Sequence, residues 1–288
     1  MPTFETPEPI FAVIEVPVGA VRVKASERAD TVVDVSPSNP SESADVTMAE
    51  QTQVEYAQGR LLVKTPKVRA RWWSFGAGPS VVVTVELPAG SRVDADTKYA
   101  DVRCEGRLGE TEVENSFGDI WLDQGERLRL HTNWGGITVG RAAERIEATT
   151  SGGEVRIDEI DGTGVVKNGH GGITIGTAIG DLRLNTSSGG ITVDRSLADI
   201  AAKTAYGAVR IGEVVRGSIN AETSYGRLEF GIAEGTAVWL DVSSQHGHVD
   251  STLDAADAPA PTDETAEVRG RTGYGEILIR RSLNRSAK

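Results

Sequence analysis

Cysteine is almost missing from this chain of 288 residues: Cys104 stands alone, which excludes an intrachain disulfide and any multi-cysteine metal site. Aromatic residues supply only 5%, so the interior must be narrow and filled by small aliphatic side chains. No run approaches the roughly 18 to 20 apolar residues of a membrane-spanning helix. Met1 to Pro9 carries Glu5 and Glu8 and lacks a cationic region followed by an apolar stretch. On this reading the chain is cytoplasmic and has no transmembrane association, and a surface role would need an unrecognised export route. Cations are outnumbered, 30 against 42 acidic residues for a formal charge of −12, which disfavours nucleic acid as a partner. The sequence has no His-Glu-x-x-His motif, phosphate loop, dinucleotide fingerprint or Gly-x-Ser-x-Gly elbow. No cofactor and no resident metal are therefore expected.

Glycine is abundant, with 33 residues, and it recurs with a period. Asn115-Ser116-Phe117-Gly118-Asp119-Ile120-Trp121-Leu122 returns as Thr132-Asn133-Trp134-Gly135-Gly136-Ile137-Thr138-Val139, and further copies begin at Thr149, Asn168, Thr186, Thr204 and Thr223. Taking Gly118, Gly135, Gly152, Gly171, Gly189, Gly207 and Gly226 as reference glycines gives steps of 17, 17, 19, 18, 18 and 19. After each comes an apolar pair at i and i+2, such as Ile137/Val139, Ile173/Ile175 and Ile191/Val193. That is the two-residue period of a strand with one face buried. A second apolar pair, such as Leu128/Leu130, Leu182/Leu184 or Ile200/Ala202, occupies the other half of the period.

Equal-length repeats that coil in one direction place like residue over like residue, which an antiparallel meander does not do. The expected fold is an all-β parallel solenoid with rungs of about 18 residues. Three positions before the reference glycines stand Thr97, Asn115, Thr132, Thr149, Asn168, Thr186, Thr204 and Thr223, whose side chains can bond the turn backbone and form a ladder. The glycines themselves suit positive φ or a tight corner. Cys104 falls in an inward apolar column and reads as a small buried hydrophobe.

Residues 1–90 lack the strict period and read as an irregular N-terminal β cap sharing one core with the repeats. Phe11 to Val16 and Val18 to Lys24 are two strands punctuated at Pro17/Gly19, with others at Thr31 to Val35, Gln53 to Tyr56 and Arg60 to Lys64. Residues 91–288 form the repeat region, with a loop at 254–267 and a terminal rung at 268–281.

The position before each reference glycine holds Tyr99, Phe117, Trp134, Ser151, His170, Ser188, Tyr206 and Tyr225, with Tyr274 repeating the arrangement. Pointing outward, Tyr99, Phe117 and Trp134 make one candidate binding patch and Tyr206 and Tyr225 a second; turned inward, they close gaps left by glycine. Trp72 and Trp73, in the Gly/Pro-containing segment Arg69 to Pro79, form a third candidate contact, with Lys64, Lys67, Arg69 and Arg71 adding local positive charge. The alternative reading for Trp72 and Trp73 is a folded-back cap loop. His248 and Asp250 share one strand face but supply only part of a metal site. Asp101 and Asp119 occupy equivalent corners about 5 Å apart if rungs stack, which is also a spacing used for glycoside hydrolysis.

The unit Thr-x-Tyr/Trp/Ser-Gly-Gly-x-Ile-x-Val, carried by Thr132 to Val139, Thr186 to Val193 and Thr204 to Ile211, resembles the bacterial DUF4097/DUF2807 adhesin-like family. The entry segment Val83-Thr84-Val85-Glu86-Leu87-Pro88-Ala89-Gly90 is similar as well. The resemblance covers roughly residues 80 to 280 and implies a right-handed parallel β-solenoid and a role in adhesion or surface interaction. The leading expectation is a noncatalytic scaffold or binding protein with an unknown protein or glycan partner. The alternative is a carbohydrate-active enzyme with an acidic groove across adjacent rungs.

Overall fold

The computed structural model describes residues 1–66, 78–254 and 264–282, and these are almost entirely β: 23 strands and, among the described residues, one short helix, Ser43–Glu50. They fall into two compact units, Met1–Ala143 with Ala148–Thr150, and Glu144–Glu147 with Ser151–Lys288.

In the second unit the apolar alternation after each glycine becomes a ladder of parallel strands. Ile173 pairs with Ile191, Ile191 with Val209 and Val209 with Leu228, at sequence separations of 18, 18 and 19. A companion parallel ladder pairs Gly164 with Leu182, Leu182 with Ile200 and Ile200 with Ile219. Ile173, Ile191, Val209 and Leu228 are completely buried. Each such side chain gains about 1.5–3 kcal/mol from burial. Outward positions stack opposite charges in the same register, as with Lys203 over Glu222 at 3.0 Å and Arg195 over Glu213 at 3.2 Å. These pairs are exposed and contribute little individually.

The corner glycines take positive φ because successive corners run too close for a side chain. Gly171, Gly189 and Gly207 have φ of 136°, 144° and 158°, and a Cβ on Gly189 would stand 2.1 Å from the carbonyl oxygen of Gly171. One reference position needs correction: Gly153, at φ 138°, is the corner glycine of its repeat, not Gly152. With that frame the steps from Gly118 to Gly207 become 17, 18, 18, 18 and 18. The polar ladder shifts with it, so Thr150 rather than Thr149 donates to the Gly135 carbonyl at 3.0 Å.

The last described strands are out of chain order. Glu264–Tyr274 pairs on one edge with Gly217–Tyr225 and on the other with Thr236–His246, and Ile277–Arg281 lies likewise between Leu228–Ile232 and Val249–Ser251. The segment expected as the terminal rung, residues 268–281, is therefore last in the chain but interior in the stack. Burial supplies the reason: Val268 and Ile277 are fully enclosed, whereas Val238 and Leu240 are half-buried and Val249 is 44% exposed.

The first unit repeats this displacement. Phe11–Ser26 runs as one strand through Pro17 and Gly19 and pairs in parallel with Arg92–Leu108. Its other edge pairs in parallel with Arg60–Lys64 and then with Val81–Pro88. So part of the segment expected to be irregular adopts the same parallel pairing as the repeats. Antiparallel strands close it: Gln53–Ala57 on Arg60–Lys64, Asp30–Pro37 on Val81–Pro88, and Thr3–Glu5 on Asp30–Pro37. The turn joining Gln53–Ala57 to Arg60–Lys64 puts Gln58 and Gly59 at φ 52° and 76°, the backbone of a tight hairpin.

The corner constraint gives a direct contrast. Gly189→Ala should cost about 2–4 kcal/mol of stability, whereas Gly172→Ala, whose nearest neighbour would be the Gly190 carbonyl oxygen at 3.7 Å, should stay within about 1 kcal/mol. Urea unfolding followed by circular dichroism separates the two variants, and equal losses would contradict the role assigned to the corner.

Candidate binding surface

Each corner is held by side chains reaching back one repeat. Thr186, Thr204 and Thr223 donate their hydroxyls to the carbonyls of Gly171, Gly189 and Gly207 at 3.2, 3.0 and 2.9 Å. Asn115 does the same with its amide, donating to the Ala100 carbonyl at 2.8 Å. These bonds fix the corner backbone, and the residue just before the corner glycine is turned outward as a consequence.

The aromatic side chains at that position all project to solvent. Tyr99, Phe117 and Trp134 are 41%, 42% and 56% exposed, and Tyr206, Tyr225 and Tyr274 are 61%, 49% and 50% exposed. In the first unit the Tyr99 and Phe117 rings stack 4.8 Å apart and within 2° of parallel, and Phe117 is the register partner of Trp134. In the second unit Tyr206 stacks on Tyr225 at 5.2 Å, Tyr225 on Tyr274 at 5.0 Å, and Tyr274 on His246 at 4.4 Å. His246 joins this ladder only because Thr236–His246 lies beyond Glu264–Tyr274 in the stack. Its place in the sequence gives no sign of this. Ser151 leaves the column, since the residue before Gly153 is Gly152.

Stacking sets what the surface can do. Within the ladder, ring faces are covered by neighbouring rings, so the exposed area of an interior ring is largely its edge. Beside the second ladder runs an open groove of about 510 Å³, lined by Lys203, Glu222, Ser224, Gln245, Arg271 and Tyr274 among others. Trp72 and Trp73 lie outside the described residues.

The other polar candidates have structural partners. Asp101 Oδ1 accepts from the Asp119 amide at 3.0 Å, and Asp119 Oδ1 accepts from the Gly136 amide at 2.7 Å. The same device recurs with Asp181 accepting from Asp199 and Asp199 from Ser218. These carboxylates cap the backbone N–H of the next repeat. His248 lies 3.8 Å from Glu276, while His246 is stacked on Tyr274. Among the described residues, no group of three or more His, Cys, Asp or Glu is placed to hold a metal ion, and no helix is long and apolar enough to cross a membrane.

Parallel ladders of short strands with outward aromatic columns define a β-strand-repeat protein. The chain belongs to the Toastrack DUF4097 family, whose match spans residues 13–271. No curated protein matches. Among solved structures it is similar to a "putative lipid binding protein" from Parabacteroides distasonis, at 10% identity and a TM-score of 0.47 over 96% of this chain and 95% of the other. A second is a "putative adhesin" from Bacteroides fragilis, at 12% identity and a TM-score of 0.35, with coverage of 96% and 95%.

Cys104 is completely enclosed, and burial pushes its thiol up to about 12. It should remain unreactive toward a disulfide reagent at pH 8 in the native protein and react fully in denaturant, since the thiolate is the nucleophile. Rapid native labelling would contradict the placement of Cys104 in the core.

Proposed function

We propose that the chain is a noncatalytic scaffold or binding protein that presents its aromatic columns to a protein or glycan partner. In this reading each unit coils as a right-handed parallel β-solenoid with rungs of about 18 residues. Residues 1–90 close one end, and 91–288 carry the repeats. The parallel registers near 18 support the coiling, and the family membership supports the handedness.

One observation carries the functional reading: six large aromatic side chains stand exposed at equivalent positions on strands whose inner faces are fully buried. A stack of rings is worth about 0.5–1.5 kcal/mol per pair, which stabilises the surface in one arrangement before any partner arrives. Little ordering cost then falls on association. The corner-capping role of Asp101 and Asp119 accounts for their spacing without chemistry at that site.

Immobilised protein screened against glycans and cell extract should reveal a saturable partner. Its affinity should fall about fivefold or more in Trp134→Ala or Tyr206→Ala, with the circular dichroism spectrum unchanged. Binding indifferent to both substitutions, or no saturable partner in either screen, would refute this reading.

A further inference from the structure

The aromatic column of the second unit has a gap. His170 pairs with Ser188, and Ser188 pairs with Tyr206, after which the stacked series Tyr206, Tyr225, Tyr274 and His246 is unbroken. Ser188 is therefore the one small residue between two rings, and both His170 and Ser188 are exposed. Tyr206, at 61%, is more exposed than Tyr225 or Tyr274, at 49% and 50%. The difference is expected of a ring that has a neighbour on one face and only a serine below the other.

We propose that the slot over Ser188 is a binding site for one flat aromatic ring, held between His170 and Tyr206. The two residues are separated by two strand spacings, about 9.6 Å. A ring entering midway would lie about 4.8 Å from each, which is close to the 5.0 and 5.2 Å that the ladder keeps between its own rings. The ladder rings are parallel but offset, so their planes approach to carbon contact distance, about 3.5–4.0 Å. Two such steps admit one planar ring, while a puckered sugar with axial hydrogens is thicker.

A histidine can serve as the second wall, as His246 already lies against Tyr274 with an 18° interplanar angle. His170 is also tethered, with Nδ1 3.4 Å from the Ser151 carbonyl oxygen. Gly169, Ser187 and Ala205, which immediately precede the three column positions, are all small residues. Ser188, exposed between the two rings, supplies a hydroxyl that an indole N–H or a phenol O–H can pair with.

This site rests on the reading of the columns as contact surfaces and narrows it to a ligand chemistry. Indole and N-acetyl-tryptophanamide would be titrated into the intact protein while the His170 and Tyr206 ring protons are followed by NMR, with methyl glucoside as a third probe. Both aromatic probes should produce saturable upfield shifts. Tighter binding of N-acetyl-tryptophanamide identifies a side chain in a peptide as the natural ligand, and equal or weaker binding identifies a free aromatic compound. Ser188→Tyr should fill the slot, weaken both probes at least about fivefold and raise the melting temperature by about 1–4 °C by completing the ladder. Unsaturable shifts, probe affinity unchanged in Ser188→Tyr, or methyl glucoside bound as tightly at the same protons would overturn the proposal. If a macromolecular partner binds Ser188→Tyr as it binds the parent protein but fails with Tyr206→Ala, the slot is wrong and the contact surface stands.

Discussion

Corner backbones separated by a single strand spacing set the terms for everything else in this molecule. A Cβ at Gly189 or Gly207 would sit 2.1 or 2.0 Å from the carbonyl oxygen of the preceding corner, a distance that no side chain tolerates. Glycine at the corner permits the approach, and the approach lets a threonine or asparagine from the next repeat reach the corner carbonyl. Once that register is fixed, the apolar pairs after the corner can bury completely and the residue before it has nowhere to point but out. The aromatic columns are therefore a by-product of the same geometry that packs the core. Their stacking follows from the strand spacing, which happens to lie within the range that offset rings prefer.

Much of this was legible in the sequence because a parallel register converts period into contact. The apolar pairs Ile173/Ile175, Ile191/Val193 and Val209/Ile211 are all fully buried, as their alternation requires. The lone cysteine went where a small apolar residue would go. The error at Gly152 and Gly153 has an equally local origin: two adjacent glycines look alike as letters, and only backbone φ and the hydroxyl of Thr150 distinguish the corner from its neighbour. Whether the column faced in or out was also undetermined by pattern, since an aromatic beside a glycine can fill space or leave it.

What the sequence concealed was order. Periodicity reports which residues are equivalent, and it does not report which equivalent strands are neighbours. Arg60–Lys64 and Val81–Pro88 together line one edge of Phe11–Ser26, yet they are separated in the chain and so produce no period. The segment Val268 to Ile279 does carry the repeat signature, but the same signature fits an end position and an inserted one. The partner of Tyr274 on its far side, His246, was accordingly visible only as one of two nearby histidines.

The insertion of residues 264–282 between Gly217–Ile232 and Thr236–Ser251 has a consequence for how the chain is made. The ribosome releases the outer strands before the pair that will separate them from the body of the unit. Until that later pair arrives, Thr236–His246 and Val249–Ser251 lack the parallel ladder partners they have in the folded unit, although Thr236 can already donate its hydroxyl to the Val215 carbonyl, and their closest substitute is the edge left by Gly217–Ile232. Parallel pairing across such separations is slow to form, so the nascent chain must hold that place open or give up a shorter, wrong pairing to fill it. Completion of this end is thereby a late event in biosynthesis, and a chain that stops before residue 264 lacks the strands on which its own outermost layer depends.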